Sequence, residues 1–157
     1  MAQLFSHILC PVDFSEPSGA ALKIAKHLSL LMGAKLHVLH VVEPILVPAD
    51  FAFGPVTPVV LEKQFIEQAE NSLKAIAQDA GTNLQIETSM RRGKPWSEIV
   101  IAARELHADL IVLGTHGLTG LSHMLMGSTA EKVVRKSPCA VLTVKADDPC
   151  AKAADCG

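Results

Sequence analysis

Charge is scarce and unbiased in this chain: 14 Lys and Arg stand against 16 Asp and Glu, for a formal net charge of −2. A surface that neutralises many phosphates must be basic, so the balance argues against general nucleic-acid binding. Long apolar runs are missing as well, and none approaches the roughly 18 residues of a membrane-spanning helix. The opening Met-Ala-Gln-Leu-Phe-Ser-His has no charged segment ahead of an apolar stretch. No secretory signal is therefore expected, and the expected address is the cytoplasm. There is no Gly-x4-Gly-Lys-(Ser/Thr), which removes a P-loop NTPase, and no Gly-x-Gly-x-x-Gly after the first strand pattern, which removes that dinucleotide fingerprint. Internal repeats and a second domain are also lacking. What remains is a chain of 157 residues, 49% hydrophobic and 19% charged. That is one globular domain with enough length for a good core.

Cysteines are few. Cys10 falls inside a strand pattern and Cys139 begins another, positions that suit small core residues better than reactive thiols. Cys150 and Cys156 lie in a C-terminal stretch, residues 147–157, with no apolar periodicity. Their spacing matches no zinc signature. A domain over residues 1–146 followed by a flexible tail is the expected organisation.

Strand and helix patterns alternate along that domain. His7–Asp13 is a short apolar run, the first strand. A helix follows, capped by Ser15 or Ser18, with Ala21, Ile24, Ala25, Leu28 and Leu31 at helical spacing and Gly33 at its end. Lys35–Val42 is the second strand. A Pro-rich loop from Glu43 to Thr57 then interrupts the pattern, and its length suits a lid or a partner surface. Pro58–Ala80 reads as a helix with Leu61, Phe65, Ala69, Leu73, Ile76 and Ala77 on one face. Leu84–Met90 alternates as the third strand, and Pro95 opens a helix to about Leu106. The fourth strand is Asp109–Leu113, a helix begins near Gly127, and Ala140–Val144 is the fifth strand. Such alternation implies an α/β fold, a doubly wound parallel sheet with helices on both faces and right-handed crossovers.

The most informative stretch is Gly114-Thr-His-Gly117, nine residues, then Gly127-Ser128. It joins a buried strand to a helix. Glycines there let the backbone approach a ligand and take up positive φ. The free N–H groups and the dipole of the following helix favour phosphate. In doubly wound sheets ligands bind beyond the carboxyl ends of the strands, where the strand order reverses. Asp13 closes the first strand and Gly114 follows the fourth. If those strands are neighbours at the reversal, both residues face one crevice. A carboxylate accepts two hydrogen bonds, so Asp13 can engage paired ribose hydroxyls, or it can simply cap the turn at Phe14-Ser15. Gly127-Ser128 can likewise be no more than a helix start.

Ile8-Leu-Cys-Pro-Val-Asp13, the Gly-x2-Gly-x9-Gly-Ser element and the closing Val133-Val-Arg-Lys-Ser-Pro-Cys-Ala-Val-Leu-Thr-Val144 resemble the universal stress protein family over about residues 5–145. More narrowly they resemble its ATP-binding branch, because Gly114, Gly117, Gly127 and Ser128 match every fixed position of that branch's motif. The resemblance implies a Rossmann-like five-stranded sheet in order 3-2-1-4-5. It implies ATP with Mg²⁺ as cofactor, Asp13 on the ribose and Val41 beside the adenine. The glycines and Ser128 would cradle the phosphates, with Pro11, Val12, His116 and Thr129 among the binding residues. A homodimer through the last strand, Ala140 to Val144, is also implied, as is a cytoplasmic stress-response or signalling module. The same crevice could accept ADP, AMP or cyclic AMP, and the alternative function is a homodimeric interaction module in which nucleotide is secondary.

His123 stands where many members of that family carry Arg or Lys. It and His116 are the only ionisable side chains between Gly114 and Gly127, and either could donate to a phosphate or be a solvated loop residue. His37 and His40 are three apart in a strand, point to opposite faces, and cannot grip one metal together. Arg91 and Arg92 end the third strand, about 10 Å from the first at ordinary strand spacing, so a solvated charge pair is favoured over a phosphate contact. Trp96 suits packing better than base stacking. No nucleophile with its base and no acidic pair for hydrolysis is evident, so at most slow ATP turnover is expected.

Overall fold

The computed structural model describes residues 4–44, 58–79, 83–116 and 126–153. Their elements alternate: β1 (His7–Val12), α1 (Glu16–Met32), β2 (Lys35–Val42), α2 (Pro58–Gln78), β3 (Ile86–Arg92), α3 (Pro95–Glu105), β4 (Leu110–Gly114), α4 (Ser128–Lys136), β5 (Ala140–Val144) and α5 (Pro149–Ala153). The five strands form one sheet in the order β3-β2-β1-β4-β5, and every pairing is parallel. The doubly wound sheet expected from the alternation is therefore the one observed.

The period of two along each strand divides the core into two layers. Ile8, Cys10 and Val12 of β1, Leu36 and Val38 of β2, and Val112 of β4 face Ala21 and Ala25 of α1 and Leu73 of α2. Leu9, Leu39, Ile111 and Leu113 point the other way, onto Ile99 and Ala103 of α3 and Ala130 and Val133 of α4. Thus α1 and α2 cover one face of the sheet and α3 and α4 the other, as right-handed crossovers on either side of the reversal require.

Local chemistry sets the boundaries. Ser15 is the N-cap of α1, and Gly33 ends the helix in the left-handed region at φ 65°. Of the apolar positions assigned to α1, Ala21 and Ala25 are fully buried but Leu31 is 71% exposed. Met32, not Leu31, completes the stripe, packing with Ile24 and Leu28 against that core layer. The carboxylate of Asp109 accepts from the backbone N–H of Ser6 at 2.8 Å and of His7 at 3.2 Å. It belongs to this clamp between the starts of β1 and β4, and the fourth strand begins one residue later than its apolar run. The third strand begins later still, at Ile86 rather than Leu84.

Two segments differ from expectation or fall outside view. Within residues 147–157 a short helix, α5, is present, with Ala151 only 4% exposed against the α1 layer. Its signal was Asp148-Pro149: Asp148 Oδ1 accepts from Cys150 N–H at 2.9 Å, capping a helix that opens on proline. Cys156 lies outside the described residues, as do positions 45–57 of the Pro-rich loop. No helix among the described residues is long and apolar enough to cross a membrane.

Candidate functional site

A cavity of about 700 Å³ opens beyond the carboxyl ends of β1, β2 and β4, against the first turn of α4. This is where β1 and β4 lie side by side and the strand order reverses. Pro11, Val12, Asp13, Val41, Gly114, His116, Gly127, Ser128 and Thr129 all line it. Gly117 and His123, also singled out from the sequence, lie outside the described residues.

The strand-end wall is built from short-range hydrogen bonds. Asp13 Oδ1 accepts from Ser15 N–H at 3.0 Å and from the Ser15 hydroxyl. Asp13 therefore does cap the Phe14-Ser15 turn, while its side chain also borders the cavity. Ser18 Oγ accepts from Asp13 N–H at 3.3 Å and donates to the Ser15 carbonyl at 3.1 Å, which ties the turn to α1. Between them Phe14 has φ 63°, a conformation that costs a bulky residue of order 1–3 kcal/mol and persists only when its surroundings hold it. Its ring lies 4.7 Å from that of His40, centroid to centroid.

The glycines answer two different demands. A Cβ on Gly114 would sit 2.8 Å from the Pro17 carbonyl carbon and 2.9 Å from Ser18 N, so β4 ends hard against the backbone of α1. Gly127 has more room, with the nearest contact 3.2 Å away at the Thr115 carbonyl. Neither uses the positive φ expected of them: Gly127 has an extended φ of −69°, and among the described glycines only Gly33 and Gly93 have positive φ. The constraint at both is closeness of approach. Gly127 N–H donates to Thr115 O at 2.7 Å, and Thr115 N–H donates to Val144 O at 2.8 Å, which fixes the start of α4 against β4 and β5.

Gly127 is also the N-cap of α4, and it supplies no side-chain cap. The first-turn N–H groups and the positive end of the helix dipole thus face the cavity with Ser128 and Thr129. The described lining carries no Lys or Arg, and its charged side chains are the carboxylates of Asp13, Glu43 and Glu62. Attraction for an anion there comes from backbone amides. Thr115 Oγ1 and His116 Nδ1 share a hydrogen bond of 3.0 Å at the edge of this region.

The opposite wall was not read from the sequence. Glu62, Phe65, Gln68, Ala69 and Ser72 of α2 border the cavity, joined by Phe14 and His40. Phe65, grouped by its spacing on one face with Ala69 and Leu73, is 50% exposed, because it stands over the opening. Spacing of three and four along α2 does group these residues on one face, but it cannot distinguish a face on the core from a face on a cavity.

Other candidates have structural partners. Arg92 Nη2 lies 2.8 Å from Glu62 Oε1, and Arg91 pairs with Glu98 and Glu105, so both arginines serve carboxylates. Trp96 packs in the α3–α4 layer beneath the ammonium groups of Lys132 and Lys136, at 5.8 and 5.4 Å. His37 shares a 2.7 Å hydrogen bond with Ser89, whereas the His40 ring turns to the Val12 carbonyl. Burial pushes the Cys10 thiol up to about 12 and raises that of Cys139, so neither is an activated nucleophile. Among the described residues no group of three His, Cys, Asp or Glu side chains could hold a metal ion.

Sheet order and crevice together define a doubly wound α/β domain with a cavity at its switch point, against the uncapped start of α4. The chain belongs to the universal stress protein family, whose model matches residues 4–145. It is 35% identical over 145 residues to universal stress protein MJ0531 of Methanocaldococcus jannaschii, covering 90% of this chain and 83% of that protein. Among solved structures it is similar to the universal stress protein UspA from Lactobacillus plantarum, with a TM-score of 0.80 and 28% identity over 92% of this chain and 99% of that one. It is also similar to a universal stress protein crystallised in complex with cAMP, with a TM-score of 0.66 and 25% identity over 92% and 99% of the two chains.

Proposed function

We propose that this chain binds ATP in the switch-point cavity and acts as a nucleotide-dependent stress-response or signalling module in the cytoplasm, with at most slow hydrolysis. The observation that carries the reading is the convergence of the Asp13 carboxylate and the uncapped start of α4 on one cavity. A carboxylate suits a pair of vicinal hydroxyls, and a helix start suits phosphate. Asp13 follows β1 and Gly127 opens α4, so the two would serve as a ribose end and a phosphate end. In this assignment Asp13 holds the ribose and Val41 and Val12 flank the base. Gly127, Ser128, Thr129 and His116 surround the phosphates.

Mg²⁺ fits the same assignment. With no Lys or Arg in the described lining, helix amides alone would offset the charge of a triphosphate. Mg²⁺ is commonly held by substrate phosphates and one or two protein groups, and that needs no preformed cluster of protein ligands. Nothing in the described lining places an activated nucleophile against the phosphate end, which favours binding over turnover.

The test is a titration of nucleotide-stripped protein with ATP, ADP, AMP and cyclic AMP in Mg²⁺, with released phosphate followed over hours. ATP as the tightest ligand with negligible release is the expected result. Preference for cyclic AMP, the ligand of one structural relative, would replace ATP in this reading.

A second reading rests on β5. It closes one edge of the sheet, and Leu142 is 38% exposed on it. An exposed apolar edge strand invites pairing with another chain. A homodimer through Ala140–Val144 would make the protein an interaction module in which nucleotide is secondary. Leu142→Pro should then yield folded monomers, and a persistent dimer would place the interface elsewhere.

A further inference from the structure

His40 lies at the carboxyl end of β2, in register with Val12 of the neighbouring strand β1. Its Nδ1 is 2.8 Å from the Val12 carbonyl oxygen. A carbonyl only accepts, so Nδ1 must carry the proton, and the ring is fixed in one tautomer and one orientation. The same ring packs against Phe14 at 4.7 Å with planes tilted 34°. Val12 and Phe14 are the two chain neighbours of Asp13. One imidazole therefore holds the residue before and the residue after the carboxylate that borders the cavity. It does so where the backbone is under strain, since Phe14 sits at φ 63°. On the far side the turn is held by Ser15, the N-cap of α1, and by Ser18 in its first turn. His40 is the cross-strand half of that clamp.

We infer that His40 is the positioning residue for Asp13, and through it sets how strongly the cavity prefers a ribose to a deoxyribose. The inference rests on the proposed assignment of Asp13 to the sugar hydroxyls. A hydroxyl missing from the sugar is felt only if the carboxylate is held in place to receive it. Freed from His40, the Val12–Phe14 segment relaxes, Phe14 leaves its strained conformation, and Asp13 no longer meets both hydroxyls. A role confined to stability would lower the melting temperature and leave the sugar preference unchanged. A positioning role changes the preference itself.

The experiment measures dissociation constants of ATP and 2′-deoxy-ATP, with Mg²⁺, for the wild type, Asp13→Ala, His40→Phe and His40→Asn. His40→Phe keeps an aromatic ring against Phe14 but has no donor for the Val12 carbonyl. His40→Asn restores an N–H donor at a similar position, and it is also the fallback if the phenylalanine variant does not fold. The wild type should prefer ATP about tenfold, the worth of one good hydrogen bond to a charged group. Asp13→Ala should abolish that preference, His40→Phe should reduce it to nearly the same level, and His40→Asn should recover most of it. The double variant Asp13→Ala/His40→Phe should be no worse than Asp13→Ala alone, because both act through one contact. An unchanged preference in His40→Phe and His40→Asn would overturn the inference while leaving nucleotide binding intact. A folded wild type that binds neither nucleotide would overturn the nucleotide assignment and this inference with it.

Discussion

The two walls of the cavity are held in different ways. On one side, strand ends and the start of α4 are locked by backbone: Gly114 against Pro17 and Ser18, Gly127 against Thr115, Asp13 within a serine-capped turn. On the other side, α2 presents side chains, with Phe65 half exposed and Glu62 turned toward Arg92. The backbone-built wall admits few residue types at each position, so it leaves a spaced motif in the sequence. A side-chain wall admits many. The part of the site that is most readable is therefore the part with the least steric freedom.

The largest effect should come from the tightest point. Gly114→Ala puts a methyl group within 2.9 Å of the α1 backbone, which cannot move cheaply. It should cost about 3 kcal/mol, the upper part of the range for overpacking, seen as a fall in denaturation midpoint. A loss below about 0.5 kcal/mol would show that β4 and α1 separate easily and that this wall is not backbone-locked. Asp13→Asn comes next. It keeps the shape of the turn and removes the charge, so ATP affinity should fall about 10- to 100-fold with a smaller change in stability. Equal losses in both would return Asp13 to a purely turn-capping role.

Phe65→Ala should do much less, changing stability by less than about 0.5 kcal/mol and ATP affinity by less than about threefold. A loss as large as that of Asp13→Asn would make the two walls equivalent partners in binding. The smallest expected effect lies away from both walls. Burial, assisted by the positive charge of Arg91 and opposed by Glu87, lowers the pKa of His37 from its ordinary 6.5. The unfolded chain then takes up this proton at higher pH than the native one. The stabilisation is complete above pH 6.5 and is lost as pH falls through the lower native value. Melting temperatures between about pH 8 and 5 should therefore drop more for the wild type than for His37→Gln. Parallel curves would remove His37 from the acid response.

The sheet was legible because strand patterns, apolar runs or alternation, are separated by helical spacing, with a cap at Ser15, a stop at Gly33 and a proline opening α3. Element order, parallel pairing and strand order all followed from those patterns and from the resemblance they carry. Boundaries slipped where a polar side chain did tertiary work: Asp109 serves as a clamp to Ser6 and His7, and nothing local reveals a bond across 103 residues. Leu31 and Phe65 misled because apolar spacing does not record what a helix faces. The α5 turn was written in Asp148-Pro149, two residues that weigh little in a pattern search. In the site, Asp13 and Gly114 could be placed at one crevice from strand ends, and Gly127 from the spaced glycine motif that opens the next helix. His40 could not, since its importance lies in which carbonyl its ring meets.

The most direct measurement is a calorimetric titration of ATP with Mg²⁺ into the wild type and into Gly127→Val, with circular dichroism on both. Gly127 has an ordinary φ, but a Cβ there comes within 3.2 Å of the Thr115 carbonyl, so valine should fold at a cost of about 2 kcal/mol, the sum of a poor N-cap and a tight contact. Its branched side chain would then stand where the phosphates approach the first turn of α4. Binding near micromolar in the wild type, weakened about 100-fold or more in the folded variant, is the result predicted. Equal affinity in both proteins would place the nucleotide away from α4, and no binding by the folded wild type would mean that the glycine loop has a structural role alone.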